Sequence, residues 1–167
     1  MILMIGSVYS VSSGQDSFYN FVVKDIDGND FAFSQLRGKK VMIVNTASKC
    51  ILTPQYDALE KFYQKFKNEN FIIIGFPSND FNNEEPGTNE EIKEFCVKNY
   101  GVSFPMMSKV EVKGDTIHPV YKWLTTKSLN GVMDSRVKWN FQKYLIDENG
   151  KVIRILNPYT SVNKLKF

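Results

Sequence analysis

Histidine and cysteine are nearly missing from this 167-residue chain, which holds one His and two Cys. Two thiols cannot build a disulfide framework. No C-x-x-C motif occurs, which excludes a zinc ribbon and a thioredoxin-type dithiol motif. The lone His118 cannot anchor a histidine-based metal site. A serine hydrolase triad would have to rest on that same residue, and no G-x-S-x-G elbow is present. No Lys/Arg block interleaved with aromatics appears, and 21 basic against 18 acidic residues leave a net charge of only +3. Nucleic acid is therefore not an expected partner. No apolar run reaches the length of a membrane span, and no internal repeat or low-complexity stretch is found.

What is present reads as one globular domain. The hydrophobic fraction is 43% and the charged fraction 23%, the balance of a soluble fold. The length suffices for one real core. Thirteen Phe and eight Tyr predict that aromatics dominate it. The opening "MILMIGSVYSVSSG" is similar to the apolar region and small-residue end of a secretory signal, but it lacks a basic start. Residues 1–17 are therefore expected to be a tail or a signal remnant, and residues 18–167 the domain. The expected compartment is the cytoplasm, or the periplasm or exterior if the tail is a signal remnant.

The pattern along the chain alternates strand and helix. "FVVKDIDGNDFAF" (residues 21–33) has two short apolar runs around Asp27-Gly28, a hairpin signal. "KKVMIVNTA" and "FIIIGFP" are continuous apolar runs of strand length, suited to strands buried on both faces. Between them "TPQYDALEKFYQKFKNE" carries the helical period, with Thr53 as expected N-cap and Pro54 as expected first helical residue. This is a βαβ crossover with parallel strands. "GTNEEIKEFCVKNYG" predicts a helix capped by Thr88 or Asn89 and closed by Gly101. "MSKVEVKG" predicts a strand and "HPVYKWLTTKS" a short helix opened by His118. "FQKYLIDENGKVIRIL" predicts a hairpin turning at residues 148–150. The expected fold class is α/β, with a central mixed sheet flanked by helices and an N-terminal β-hairpin.

Cys50 falls between the first buried strand and the helix after it. That is the carboxyl end of a strand, where α/β folds keep their sites. It also lies near a helix N-terminus, whose free N–H groups favour an anion, and beside Lys49. Both influences are expected to lower the thiol pKa and make the sulfur reactive. The alternative is a buried structural cysteine.

"VNTASKCILTPQYDALEKFYQKF" resembles the active-site segment of glutathione peroxidases. "GFPSNDFNNEEPGTNEEIKEFC" resembles their second motif and "KWNFQKYLIDENGKVI" their third. "FPMMSKVEVKGDTIHPVYKWL" fits between in the right order. The likeness runs from about Phe18 to about Pro158, and three ordered motifs are far more specific than one short pattern. It implies a thioredoxin fold and a thiol peroxidase that reduces hydrogen peroxide and organic or lipid hydroperoxides. Carried over by position, Cys50 matches the peroxidatic residue, and Trp139 and Asn140 match two further members of the catalytic tetrad. Such chemistry needs a sulfur anion, donors to hold it and a proton for the leaving oxygen. Trp139 and Asn140 are both donors.

Two positions depart from the pattern. Asp80 stands where the family has glutamine. An ionised carboxylate only accepts hydrogen bonds and opposes a neighbouring thiolate. Asp80 is thus protonated, turned to solvent, paired with a lysine, or a lost contribution. Ile51 replaces a glycine and is expected to crowd the pocket.

Cys96 matches the resolving cysteine of the members that use thioredoxin, and Ser78 replaces another family cysteine. The implied cycle is oxidation of Cys50 to a sulfenic acid, loosening of the Cys96 helix, then an intramolecular disulfide. The resemblance implies thioredoxin as reductant rather than glutathione. It implies no cofactor. The short segment before the tryptophan motif implies a monomer. A rival reading is a redox-sensing or binding module on the same fold with weakened catalysis.

Overall fold

The hairpin forms where Asp27-Gly28 places it. In the computed structural model of the chain, which describes residues 18–165, β1 (Val22–Lys24) pairs antiparallel with β2 (Asp30–Ala32). Gly28 takes φ 86°, a conformation that costs a glycine nothing. The expected tail, residues 1–17, lies outside the described residues.

The two apolar runs become β3 (Lys40–Thr46) and β4 (Phe71–Pro77), parallel and adjacent. α1 (Gln55–Phe66) connects them. On its other side β3 pairs antiparallel with β5 (Lys143–Ile146), which pairs in turn with β6 (Val152–Leu156). The sheet order is thus β4-β3-β5-β6, a mixed sheet with β3 inside it.

Strand alternation splits the core into two layers. Val41, Ile43, Ile74, Phe76 and Tyr144 face one side, with Val120, Tyr121, Trp123 and Leu124 packed on them. The last four lie on α3 (Pro119–Thr125), which α4 (Lys127–Asn130) follows. Met42, Val44, Ile73 and Leu145 face the other side. There they meet Tyr56, Leu59 and Phe62 of α1, and Ile92 and Cys96 of α2 (Asn89–Tyr100). Aromatic rings dominate the first layer, as in the Phe18–Phe33 and Phe18–Trp123 contacts at 5.1 and 5.3 Å.

α2 starts at Thr88, whose hydroxyl accepts from Glu91 N–H while the Glu91 carboxylate accepts from Thr88 N–H. This capping box satisfies two otherwise unpaired groups. Gly101 ends the helix in the left-handed region. Only Ile92 and Cys96 of α2 are buried. Phe95 and Tyr100 pack half-buried beside them, the Tyr100 ring 5.5 Å from that of Tyr56.

Two expectations need correction. Thr53 is not an N-cap: Pro54 holds that position in an αR conformation, without a side-chain cap. The Thr53 hydroxyl is engaged elsewhere, as described below. "MSKVEVKG" is not a strand: Met106 and Met107 make single bridges to Gly75 and Asp25, and residues beyond them are irregular. A side chain at Gly75 would press on the Met106 thioether and lie 3.2 Å from the Phe104 ring, so Met106 would have to shift to admit it.

Candidate functional site

The turn after β3 is built around Cys50. Thr53 Oγ1 accepts from Cys50 N–H at 2.9 Å and donates to Ala47 C=O at 2.9 Å. Leu52 N–H donates to Cys50 Sγ at 3.3 Å. The cysteine is 7% exposed, so the sulfur sits just below the surface. Ile51 does not crowd it, because the isoleucine is 86% exposed and points outward.

Across from the sulfur lies the turn that carries Trp139 and Asn140. Asn45, fully buried on β3, clamps it. Its amide donates to Trp139 C=O at 3.0 Å, its carbonyl accepts from Phe141 N–H at 2.6 Å, and its Oδ1 accepts from Gln142 N–H at 3.1 Å. These bonds hold Phe141 at φ 63°, a costly conformation for a bulky residue. Asn140 is thereby fixed in the interior. Its Nδ2 donates to Glu84 Oε2 at 2.7 Å. Its Oδ1 is buried with no hydrogen-bond partner among the described residues.

Glu84 completes the group. Burial pushes the Cys50 thiol pKa up; the Leu52 N–H pulls it down, the adjoining Glu84 carboxylate raises it, and the Asn140 amide lowers it. The sequence-based expectation of a lowered pKa is therefore overturned. Lys49 is exposed and is not among the leading influences on the sulfur; its charge lowers the Glu85 pKa.

Trp139 is half-buried at the junction of the two core layers, the second of which contains Cys50. Its ring lies 5.3 Å from Phe81. Asp80 does not face the sulfur. Its Oδ2 accepts from Val112 N–H at 2.6 Å and Lys113 N–H at 3.2 Å. Lys113 Nζ in turn sits 4.4 Å from the Phe81 ring. Asp80 thus bears on Trp139 through a loop and an aromatic contact. Hydrogen bonds to a charged group contribute about 1.5–3 kcal/mol. Asp80→Ala is expected to lower stability by about 1–3 kcal/mol in a denaturant melt and to leave the Cys50 titration unmoved.

Cys96 lies 1% exposed under α2, a free thiol like Cys50. Burial pushes its pKa up to about 11, and the Tyr56 hydroxyl beside it lowers it. His118 is the helix-start residue expected, its Nδ1 accepting from Val120 N–H at 3.3 Å; burial lowers its pKa. Among the described residues no group of three or more His, Cys, Asp or Glu is placed to hold a metal. No helix among them is long and apolar enough to cross a membrane.

Residues 18–125 match the family model for glutathione peroxidase. The chain belongs to the glutathione peroxidase family. It is 52% identical over 147 residues to the glutathione peroxidase-like peroxiredoxin gpx1 of Schizosaccharomyces pombe, covering 88% of this chain and 90% of that one. Among solved structures it is similar to the crystal structure of Trgpx in apo form. That likeness has a TM-score of 0.70 and 40% identity, covering 93% and 91% of the two chains. The thioredoxin fold is shared more widely. A thioredoxin-family thiol:disulfide interchange protein of Chlorobium tepidum superposes with a TM-score of 0.60 at 18% identity, covering 84% of each chain.

Glu84 and Asn45 escaped sequence reasoning. Asn45 left a trace as the polar interruption in "VMIVNTA". Glu84 left none, since its 34-residue separation from Cys50 is closed only by the fold.

Proposed function

We propose that the chain is a thiol peroxidase in which Cys50 attacks a hydrogen peroxide or organic hydroperoxide oxygen. The observation that carries this reading is the hydrogen-bonded Asn140–Glu84 pair set beside the Cys50 thiol, its amide lowering and its carboxylate raising the thiol pKa. The raised thiol is mostly protonated at neutral pH, so attack requires a proton acceptor. Glu84 takes the S–H proton as the sulfur attacks. The O–O bond breaks, and the leaving oxygen receives that proton as water or alcohol. Cys50 becomes a sulfenic acid. Leu52 N–H and Asn140 Nδ2 stabilise the developing sulfur anion. Asn140 Oδ1 is free to accept from the hydroperoxide O–H, and Trp139 walls the site. Cys96 then attacks the sulfenic acid, giving a disulfide and water. A dithiol protein of thioredoxin type reduces the disulfide, in preference to glutathione. We place the enzyme in the cytoplasm, as a monomer. The compartment rests on the sparing use of cysteine, and the monomer on the short segment before Trp139.

Glu84→Gln tests the proton route. Removing the carboxylate lowers the Cys50 pKa. For a tenfold gain in thiolate, the fall in nucleophilicity leaves only about a threefold net gain in rate. Loss of a proton acceptor costs about 10²–10⁴-fold, so the loss dominates. The expected result is a thiol titration moved to lower pH together with peroxide consumption slowed at least about tenfold. A faster mutant would reduce Glu84 to a like-charge neighbour.

The raised Cys50 thiol is also the observation that favours the redox-sensing module. Stopped-flow kinetics with a thioredoxin system separates the two. Fast, saturable turnover supports the enzyme; slow, stoichiometric oxidation supports the module.

A further inference from the structure

Glu85 is 1% exposed and is not used in the chemistry above. It sits where the two cysteine-bearing elements meet. Ser48, two residues before Cys50, donates its hydroxyl to Glu85 Oε2 at 3.1 Å. Asn79 Oδ1 accepts from Glu85 N–H at 2.9 Å. Lys109 Nζ donates to the Glu85 and Gly87 carbonyls at 3.3 and 2.7 Å. A cavity of about 420 Å³ opens beside it. Its lining includes Ser48 and Lys49 of the Cys50 turn and Glu91, Ile92 and Phe95 of α2. The Glu85 charge reaches both the Cys96 thiol and the Tyr56 hydroxyl.

We propose that Glu85 is a positioning residue for the disulfide-forming half of the cycle: protonated, it keeps the Cys50 turn seated against α2, and ionised, it favours the loosened α2 that frees Cys96. The inference rests on the thiol peroxidase reading and on Cys96 as the resolving thiol. Release of α2 also lifts Ile92 and Cys96 out of the core and parts Phe95 and Tyr100 from it, and the cavity leaves room beside the turn.

The charged and titratable groups around Glu85 fix the sign. Burial raises its pKa from 4.5 to about 7, against the lowering effects of the Ser48 hydroxyl, Lys109 and Lys49. Glu91 on α2 adds a further acid at the cavity, and the Cys96 and Tyr56 groups stay neutral. The seated arrangement is fully stable below about pH 4.5. It loses stability as pH rises to about 7, because only the loosened state hydrates the carboxylate, and it changes no further above that. The equilibrium for opening α2 rises across that window by up to roughly 300-fold.

Hydrogen exchange on the reduced full chain reads this directly. After correction for intrinsic exchange rates, protection of the α2 amides should fall at least about tenfold between pH 5 and 8. The α1 amides serve as internal control and should hold steady. In Glu85→Gln the α2 profile should be flat. In Ser48→Ala its midpoint should move to higher pH, since a hydroxyl that favours the carboxylate is gone. The rate of disulfide formation after one equivalent of peroxide should carry the same Glu85-dependent step. Wild-type α2 protection that ignores pH would overturn the proposal. So would a Glu85→Gln profile identical to wild type, or a Ser48→Ala midpoint that stays or falls. A disulfide rate without the step also removes the positioning role. If α2 responds as expected but no disulfide ever forms, the cycle fails and the Glu85 latch stands.

Discussion

Replacing Cys50 with serine removes peroxide turnover, by on the order of a thousandfold or more, while the fold survives. The sulfur is the one atom in the site able to attack an O–O bond, and a hydroxyl at neutral pH is a far weaker nucleophile. Nothing nearby substitutes for it. Glu84 and Asn140 supply an acceptor and a donor, and His118 is spent on capping α3. The substitution is structurally mild. Thr53 Oγ1 accepts from the backbone N–H of residue 50, not from its side chain, so the turn keeps its anchor. Stability is expected to stay within about 1 kcal/mol of the native chain. Peroxide consumption and a thermal melt on the same sample check both halves. Retained turnover would place the chemistry elsewhere.

Cys96→Ser is the second large effect, and it splits the cycle. Oxidation of Cys50 by the first equivalent of peroxide should proceed at close to the native rate, because burial, Leu52, Glu84 and Asn140 are the leading influences on that sulfur. Thioredoxin-supported turnover should then fall to background. With no second thiol, the sulfenic acid persists or oxidises further to the sulfinic acid. In the proposed cycle α2 yields to present Cys96 to the oxidised Cys50, and a disulfide then needs the Cα atoms within about 7 Å. The contacts that opening must release are those of the buried Ile92 and Cys96 and of Phe95 and Tyr100, half-buried beside them. Single-turnover fluorescence of Trp139 and a coupled reductant assay separate the two steps. Sustained turnover in the variant would assign resolution to another group.

How far the sequence reaches is seen in particular residues. The strands β3 and β4 were legible because runs such as "VMIV" and "FIII" admit burial on both faces, and the two core layers follow from their alternation. The α2 boundaries were legible from Thr88, Glu91 and Gly101, all local signals. Thr53 was misread because its hydroxyl serves the Cys50 turn, a local competition that propensity does not resolve. The segment after Met107 has strand-like alternation, yet it forms only bridges because the chain crosses close to Gly75 and then leaves the sheet.

Cys50, Trp139 and Asn140 could be named from the sequence; Glu84, Asn45 and the electrostatics of the sulfur could not. Lys49 and the helix start, the sequence neighbours of Cys50, argued for an acidic thiol. Burial and Glu84, set by the fold, raise its pKa. Asp80 stood at the expected active-site position, but its carboxylate is taken by two backbone N–H groups 32 and 33 residues on. Such tertiary pairings are chosen by packing and leave no periodic mark in the chain.

The most direct test of the central claim is the mass of the reduced chain after one equivalent of hydrogen peroxide, followed by peptide mapping. The account predicts loss of two hydrogens from the intact chain and a single linked peptide pair joining Cys50 to Cys96. Two thiols still reduced, or a bond between separate chains, would contradict it.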